Sequence, residues 1–297
     1  MQKFERADFE VQEYVESENY GKFVLSPLDR GFGTTIGNAL RRVLLSSLPG
    51  AAVFSIKVDG VYHEFTSIPG VREDVSMIIL QLKQLVMKIE DDEVYTLQIS
   101  AKGPCTITAG DIICPAQVEV INKDLEIAHL EKDVTLEMEL KAKNGRGYIS
   151  ADLNKQLNQG SSQGIGTVFT DSIYTPVEKV AYNVEPTRVG EDVKYDAVTL
   201  EVWTDGSINP QKAIAMAAKI LMDHLDIVAG INDEVLQMDE VLKEGNTEQP
   251  SKGQQIMIED LYLSVRSYNC LKRAGIQTVD ELTQKTEDEM MRVRNLG

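Results

Sequence analysis

Cysteine is scarce in this chain of 297 residues, and what there is comes as Cys105, Cys114 and Cys270. An odd number with no C-x-x-C spacing excludes a disulfide framework and a four-ligand zinc site. No apolar run approaches the roughly 20 residues of a membrane span, and Met1 to Tyr20 is charged throughout, so neither an anchor nor a secretory signal is expected. Together these absences predict a soluble, cytoplasmic protein with no membrane partner. Positive charge is also short. Thirty Lys and Arg stand against 47 Asp and Glu, a net charge of −17. A protein that coats nucleic acid over its whole surface needs clustered basic residues, so that class is excluded. The three histidines, His63, His129 and His224, lie far apart with no acidic or thiol partner at ligand spacing. No D-x-D-x-D run is present to hold magnesium for nucleotide transfer. These gaps predict a protein without a catalytic site of its own.

The length suits about two domains. In the body, Thr34 or Thr35 is a candidate N-cap for a helix over Ile36–Leu48, ended by Pro49-Gly50. Ile36, Leu40, Val43, Leu44 and Ser47 share one face at helical spacing, while Leu45 falls opposite, among Asn38, Arg41 and Arg42. That second side is either a solvated face with one incidental leucine or a partner-binding face. The preceding Gly31-Phe32-Gly33-Thr34-Thr35-Ile36-Gly37 invites a dinucleotide-binding reading, but its spacing is off by one residue and no β-α-β alternation follows. Alternation over Ala52–Phe65, with Asp59-Gly60 as the turn, predicts a strand pair. Helical period returns from Glu73 to about Gln84.

Between Val94 and Ala142 the pattern is mostly β, in segments at Val94–Ile99, Val118–Ile121, Leu125–Leu130 and Val134–Ala142, the last ending at an Asn144-Gly145 turn. Residues 145–148 and 158–166 read as loop, and Val177–Val184 and Ala197–Trp203 as further strands. Asn209 then caps a helix with Pro210 in its first turn and Gly230 at its end. Ile214, Ala218, Leu221, Leu225 and Val228 form one apolar stripe on it, and Ala213, Met216, Ile220 and Ile227 a second. A helix lying on one sheet needs only one such stripe. The other is covered either by a large core of its own polypeptide or by a second copy of it.

A polar, acidic, glycine-bearing segment over 232–253 reads as a linker to a small helical module. From Gln254 to Gly297 six Lys or Arg meet seven Asp or Glu, so this module is nearly neutral. Its two short helices joined at Ala274-Gly275-Ile276 make a hairpin whose second N-terminus presents free N–H groups suited to a phosphate. A weak nucleic-acid contact at the end of a tether gains strength from effective concentration.

Five motifs, in order along essentially the whole sequence, carry a resemblance to a known family. They are the run from Leu28-Asp29-Arg30-Gly31-Phe32-Gly33 to Arg41-Arg42-Val43-Leu44-Leu45-Ser46-Ser47; Gly60-Val61-Tyr62-His63-Glu64-Phe65; Gly145-Arg146-Gly147-Tyr148; Ser172-Ile173-Tyr174-Thr175-Pro176-Val177; and Val265-Arg266-Ser267-Tyr268-Asn269-Cys270-Leu271-Lys272. The sequence thereby resembles the alpha subunit of bacterial DNA-directed RNA polymerase. The resemblance implies an α+β amino-terminal assembly domain over 1–231, made of a dimerisation subdomain (1–50 plus 176–231) and a β-rich insertion (51–175). The linker and an all-α carboxy-terminal domain over 254–297 follow. It implies a homodimer that nucleates assembly of the beta and beta' subunits, with omega and sigma joining in the holoenzyme. Magnesium and zinc belong to the large subunits, and no cofactor to this one.

On that resemblance Arg42, Arg41 and Leu45 hold the beta subunit. Ile36, Leu40, Leu44, Leu221, Leu225 and Val228 form the dimer contact. Arg266, Asn269, Cys270 and Gly297 touch the minor groove of upstream A·T-rich promoter DNA, where narrow-groove potential attracts arginine. Glu259 and Asp260 meet sigma or transcription activators. Two departures bear on the last domain: the family's pattern continues past Asn295-Leu296-Gly297, so this domain is expected to be incomplete here, and Tyr262 stands where members often carry a second acid. The alternative class is an autonomous dimeric DNA-binding regulator, which the acidic, non-basic body disfavours.

Overall fold

The computed structural model describes residues 6–158, 166–190 and 192–232. Strands β1 (Asp8–Val15) and β2 (Tyr20–Asp29) are followed by helix α1 (Phe32–Ser46), strand β3 (Pro49–Val58) and helix α2 (Val75–Leu82). A β-rich stretch comes next, with β4 (Met87–Ile89), β5 (Tyr95–Lys102), β6 (Cys105–Thr108), β7 (Val118–Val120), β8 (Glu126–Leu130), β9 (Thr135–Arg146) and β10 (Tyr148–Ile149). Helix α3 (Ala151–Leu157), the short strands β11 (Thr167–Phe169) and β12 (Ser172–Ile173), the long pair β13 (Val177–Val189) and β14 (Asp192–Thr204), and helix α4 (Pro210–Ala229) complete it. The architecture is α+β.

Two separate cores organise these elements. The antiparallel sheet β1-β2-β14-β13 brings the first and last described segments together. Its inner residues Phe23, Val177, Val180, Leu200 and Val202 pack with Leu40 and Leu44 from α1, with Leu48 just past its end, and with Ala213, Ile214 and Ala217 from α4. Burying each large side chain in such a layer contributes about 1.5–3 kcal/mol. The second antiparallel sheet, β11-β3-β9-β5, sets Val53, Ile56, Val58, Leu97, Ile99, Leu136, Met138 and Leu140 against Val75, Ile78, Ile79 and Leu82 of α2. The two-stranded ribbons β4-β7 and β6-β8 close that core.

Several local signals give way to longer-range ones. Helix α1 starts at Phe32, not after Thr34 or Thr35, with Gly31 as N-cap at φ 92°. The glycine-rich run is therefore helix rather than loop. A Cβ on Gly37 would stand 2.7 Å from the Tyr182 ring, so this glycine lets α1 lie close on β13. Pro49-Gly50 does end the helix but also begins β3. The strand pair expected across Asp59-Gly60 does not form: β3 pairs with β9 and β11, and residues 61–74 run as an irregular segment toward α2. Asn144-Gly145 is likewise no turn. Strand β9 continues to Arg146 because Asn144, Gly145 and Arg146 pair with Ala51, Gly50 and Pro49. Asn144 spends its side-chain amide on the carbonyls of Ile89 and Asp91 instead of closing a turn.

Candidate partner-docking surfaces

Helix α4 carries the first surface. Asn209 caps it by accepting from the Gln211 N–H at 2.8 Å, and Pro210 occupies the first turn, as the sequence predicts. The apolar residues do not divide into one covered and one uncovered stripe around the helix. They divide along it. Ala213, Ile214 and Ala217 are buried, and Met216, Ala218, Ile220 and Leu221 are partly covered by the same core. Beyond Leu221 the helix leaves its sheet: Met222 is 58% exposed, Leu225 62%, Ile227 76%, Val228 60%, and Ile231 just past the helix 86%. The polar positions here are locally satisfied, with Lys219 Nζ on Asp223 Oδ1 at 2.7 Å and His224 Nδ1 near the Ile220 carbonyl at 2.7 Å. An apolar end of this size, left bare by the described residues, has the character of a protein contact.

The expected dimer residues thus fall in two groups. Leu225 and Val228 are open, and Ile36 and Leu221 are half-buried. Leu40 and Leu44 are enclosed by their own sheet, Leu44 completely, so they have little surface to offer a partner.

The second surface forms where α1 ends. Arg41 and Arg42 are both exposed, and neither guanidinium has a hydrogen-bond or ion-pair partner among the described residues. Leu45 is not on that open side: it is half-buried and packs on the core of the first sheet beside Leu44. Ser46 closes the helix by donating to the Arg42 carbonyl at 2.8 Å, and Ser47 N–H donates to Val43 O at 2.9 Å.

Immediately after, three of the sequence motifs converge. Gly50 on β3 pairs with Gly145 on β9, and a Cβ on Gly50 would lie only 2.0 Å from the Tyr174 carbonyl oxygen. Tyr174, 1% exposed, spreads its ring over Gly145, and its N–H donates to Gly147 O at 2.8 Å. Burial pushes its phenol above the ordinary range, with the Ser172 hydroxyl opposing. Strands β10 and β12 then pair Tyr148 with Ile173, and both side chains face outward, 63% and 54% exposed. A Cβ on Gly147 would stand 3.6 Å from Ser46 O, so this ribbon abuts the end of α1, one turn from Arg42. Unpaired guanidinium groups beside exposed aromatic and aliphatic side chains have the composition of a protein interface.

Sequence reasoning missed Tyr148 and Ile173 as surface residues, although both lie inside the quoted motifs. The signal was an aromatic at a position read as loop for Tyr148, and a large aliphatic inside a quoted motif for Ile173. His129, expected to stand without an acidic neighbour, is paired: Glu73, 56 residues away, takes its N–H and ring Nδ1 at 2.7 Å each. Among the described residues no group of three or more His, Cys, Asp or Glu is placed to hold a metal ion. No helix among them is long and apolar enough to cross a membrane. Arg266, Asn269, Cys270, Gly297, Glu259 and Asp260 lie outside the described residues.

Residues 56–175, the β-rich core with its α2 and ribbons, match the family model described as the RNA polymerase Rpb3/RpoA insert domain. The protein is therefore a subunit of the RNA polymerase class. Residues 244–297 match a second model, that of the carboxy-terminal domain of the bacterial RNA polymerase alpha subunit. With both in this order, the protein belongs to the family of alpha subunits of bacterial DNA-directed RNA polymerase.

Proposed function

We propose that two copies of the protein pair through the bare end of α4, assisted by the adjoining flank of α1, and that the pair is the platform on which the beta and beta' subunits assemble. Arg42 and Arg41, with the Tyr148–Ile173 ribbon beside them, form the beta contact, and Leu45 seats that part of α1 on its sheet. Omega and sigma join the completed assembly. Residues 254–297, on the tether over 232–253, contact upstream A·T-rich promoter DNA through Arg266, Asn269, Cys270 and Gly297, and meet sigma or activators through Glu259 and Asp260. The large subunits carry the nucleotidyl transfer chemistry and its metal ions, and this subunit supplies geometry.

The observation that carries the reading is the lengthwise split of α4. One half is core, while the other leaves Leu225, Ile227 and Val228 each at least 60% exposed. A two-fold pairing lets each copy cover the other's bare half with the same residues. Light scattering on the full-length protein tests it. The wild type should have the mass of a dimer, and Leu225→Asp, which puts a charge into an apolar contact, should run as monomer or aggregate. A dimer of normal mass from Leu225→Asp would remove α4 from the interface. Arg42→Ala should keep the dimer and lose co-purification of the beta subunit; full recovery of all subunits would remove Arg42 from the docking surface.

A further inference from the structure

Helix α3 follows β10 directly, with Ser150 as its N-cap accepting from Leu153 N–H at 3.4 Å. Its residue Asn154 is completely buried, an unusual place for a polar amide in so short a helix. Asn154 Nδ2 donates to the Thr170 carbonyl at 2.8 Å and to Ser172 Oγ at 3.1 Å. Ser172 Oγ has its own proton committed to the Val53 carbonyl at 2.8 Å, and the Thr170 hydroxyl reaches the same oxygen at 3.4 Å. Both groups facing Asn154 are therefore acceptors, which fixes the amide with nitrogen toward them. Between the two, Asp171 is tied outward to Lys83 Nζ at 2.5 Å.

The consequence is geometric. Segment 170–172 is anchored to β3 through Val53 and Phe54, the Thr170 N–H reaching Phe54 O at 2.9 Å. Asn154 links that anchored segment to α3 and so to β10. Strand β12 begins at Ser172 and carries Ile173, whose neighbour across the ribbon is Tyr148. We propose that Asn154 is a positioning residue for partner docking: its two amide protons brace β12 against α3 and thereby hold Tyr148 and Ile173 beside Arg42 in the arrangement a large subunit recognises. This role rests on the docking reading above and adds a residue that touches no partner. The side-chain requirement is specific. Two donors on one atom at this reach are supplied by the asparagine amide, whereas a serine offers one and an ionised aspartate none.

The test uses the full-length dimer with two readouts, hydrogen exchange over Ser172–Tyr174 and capture of purified beta subunit. Asn154→Ala should speed exchange of the Tyr174 amide about tenfold and weaken capture by about the same factor, the loss of a buried hydrogen-bonded brace, while dimer mass stays unchanged. Asn154→Asp distinguishes positioning from general damage. Its ionised carboxylate faces two acceptors, but its protonated form regains one donor, so capture, and the protection of the Tyr174 amide taken as a ratio to wild type at each pH because intrinsic amide exchange itself slows as pH falls, should both recover in part as pH is lowered from about 8 to about 6. Unchanged exchange in Asn154→Ala overturns the proposal. So does undiminished capture by Asn154→Ala when Arg42→Ala, run alongside, abolishes it. If Arg42→Ala also captures normally, the docking reading itself has failed and this inference falls with it.

Discussion

Gly31 opens α1 with no side chain to cap it, so the helix takes its acceptor from elsewhere: Asp196 Oδ2, on β14, receives the Gly31 N–H at 2.8 Å. That carboxylate stands 165 residues along the sequence from the position it caps. The local hydroxyls of Thr34 and Thr35 point to a later start, and Thr35 in fact spends its hydroxyl on the Gly31 carbonyl at 3.2 Å. The start of α1 is thus a tertiary property, illegible in any short window. Asp196→Ala should cost about 1 kcal/mol of stability, in the usual range for a lost cap, and Asp196→Asn, which keeps an acceptor, only a fraction of it. Urea unfolding of the three proteins checks the order, and equal midpoints would show that the cap contributes nothing. Leu44, fully enclosed between α1 and the first sheet, belongs to the same scale. Its replacement by Ala should remove about 2–5 kcal/mol, the cost of lost transfer energy plus a cavity. The same urea experiment reads it.

Among the elements, legibility follows how local the determining chemistry is. Helix α4 is readable to the residue because Asn209, Pro210 and Gly230 mark its ends and act within one turn of themselves. The limits of its burial are not readable, since where a sheet stops beneath a helix leaves no trace in helical period. Strands β1 and β2 escape the pattern for another reason. The residues of β1 are nearly all exposed, as an edge strand permits, so acids such as Glu10 and Glu13 break no rule there. Helix α3 and the two-residue strands are too short to show any period.

The segment leading to α2 carries a hydrogen-bonded clamp with a defined pH response. Arg72 N–H donates to the His129 carbonyl at 3.0 Å, and Glu73 grips both the backbone and the ring of His129. Burial alone would raise the Glu73 carboxyl, but hydrogen bonds from the His129 backbone and ring override it and hold the pKa below its ordinary value. A carboxylate with a depressed folded pKa contributes stability that is present above its unfolded value of about 4.3 and is lost as pH falls through the folded value. Wild type should therefore lose stability in that acidic window faster than Glu73→Gln, which has no proton to gain. Parallel slopes of unfolding free energy against pH would exclude the clamp as a contributor.

For the molecule as a whole, two separate cores give the two surfaces of the proposed function separate supports: in that proposal pairing depends on α4, and docking on the corner of Arg42, Tyr148 and Ile173. Their defects should be separable. In the Arg266→Ala variant, binding to upstream A·T-rich DNA should weaken while dimer mass and subunit capture stay normal; undiminished footprints would remove Arg266 from DNA contact. The resemblance makes the family readable at this scale, as the matches over 56–175 and 244–297 bear out, because motifs spread along the sequence survive where single elements are ambiguous. What it leaves unseen is convergence: Arg42, the Gly145–Gly147 stretch and Tyr174 are far apart in sequence, and close backbone approach at Gly50 helps bring them to one corner.

The bare half of α4 also sets a cost for being alone. A solitary copy shows water an oily helix end of the sort that chaperones and proteases seize, whereas the proposed pairing would hide it. Under that pairing, cellular lifetime of the protein should follow its own concentration, with dilute copies cleared and abundant ones spared.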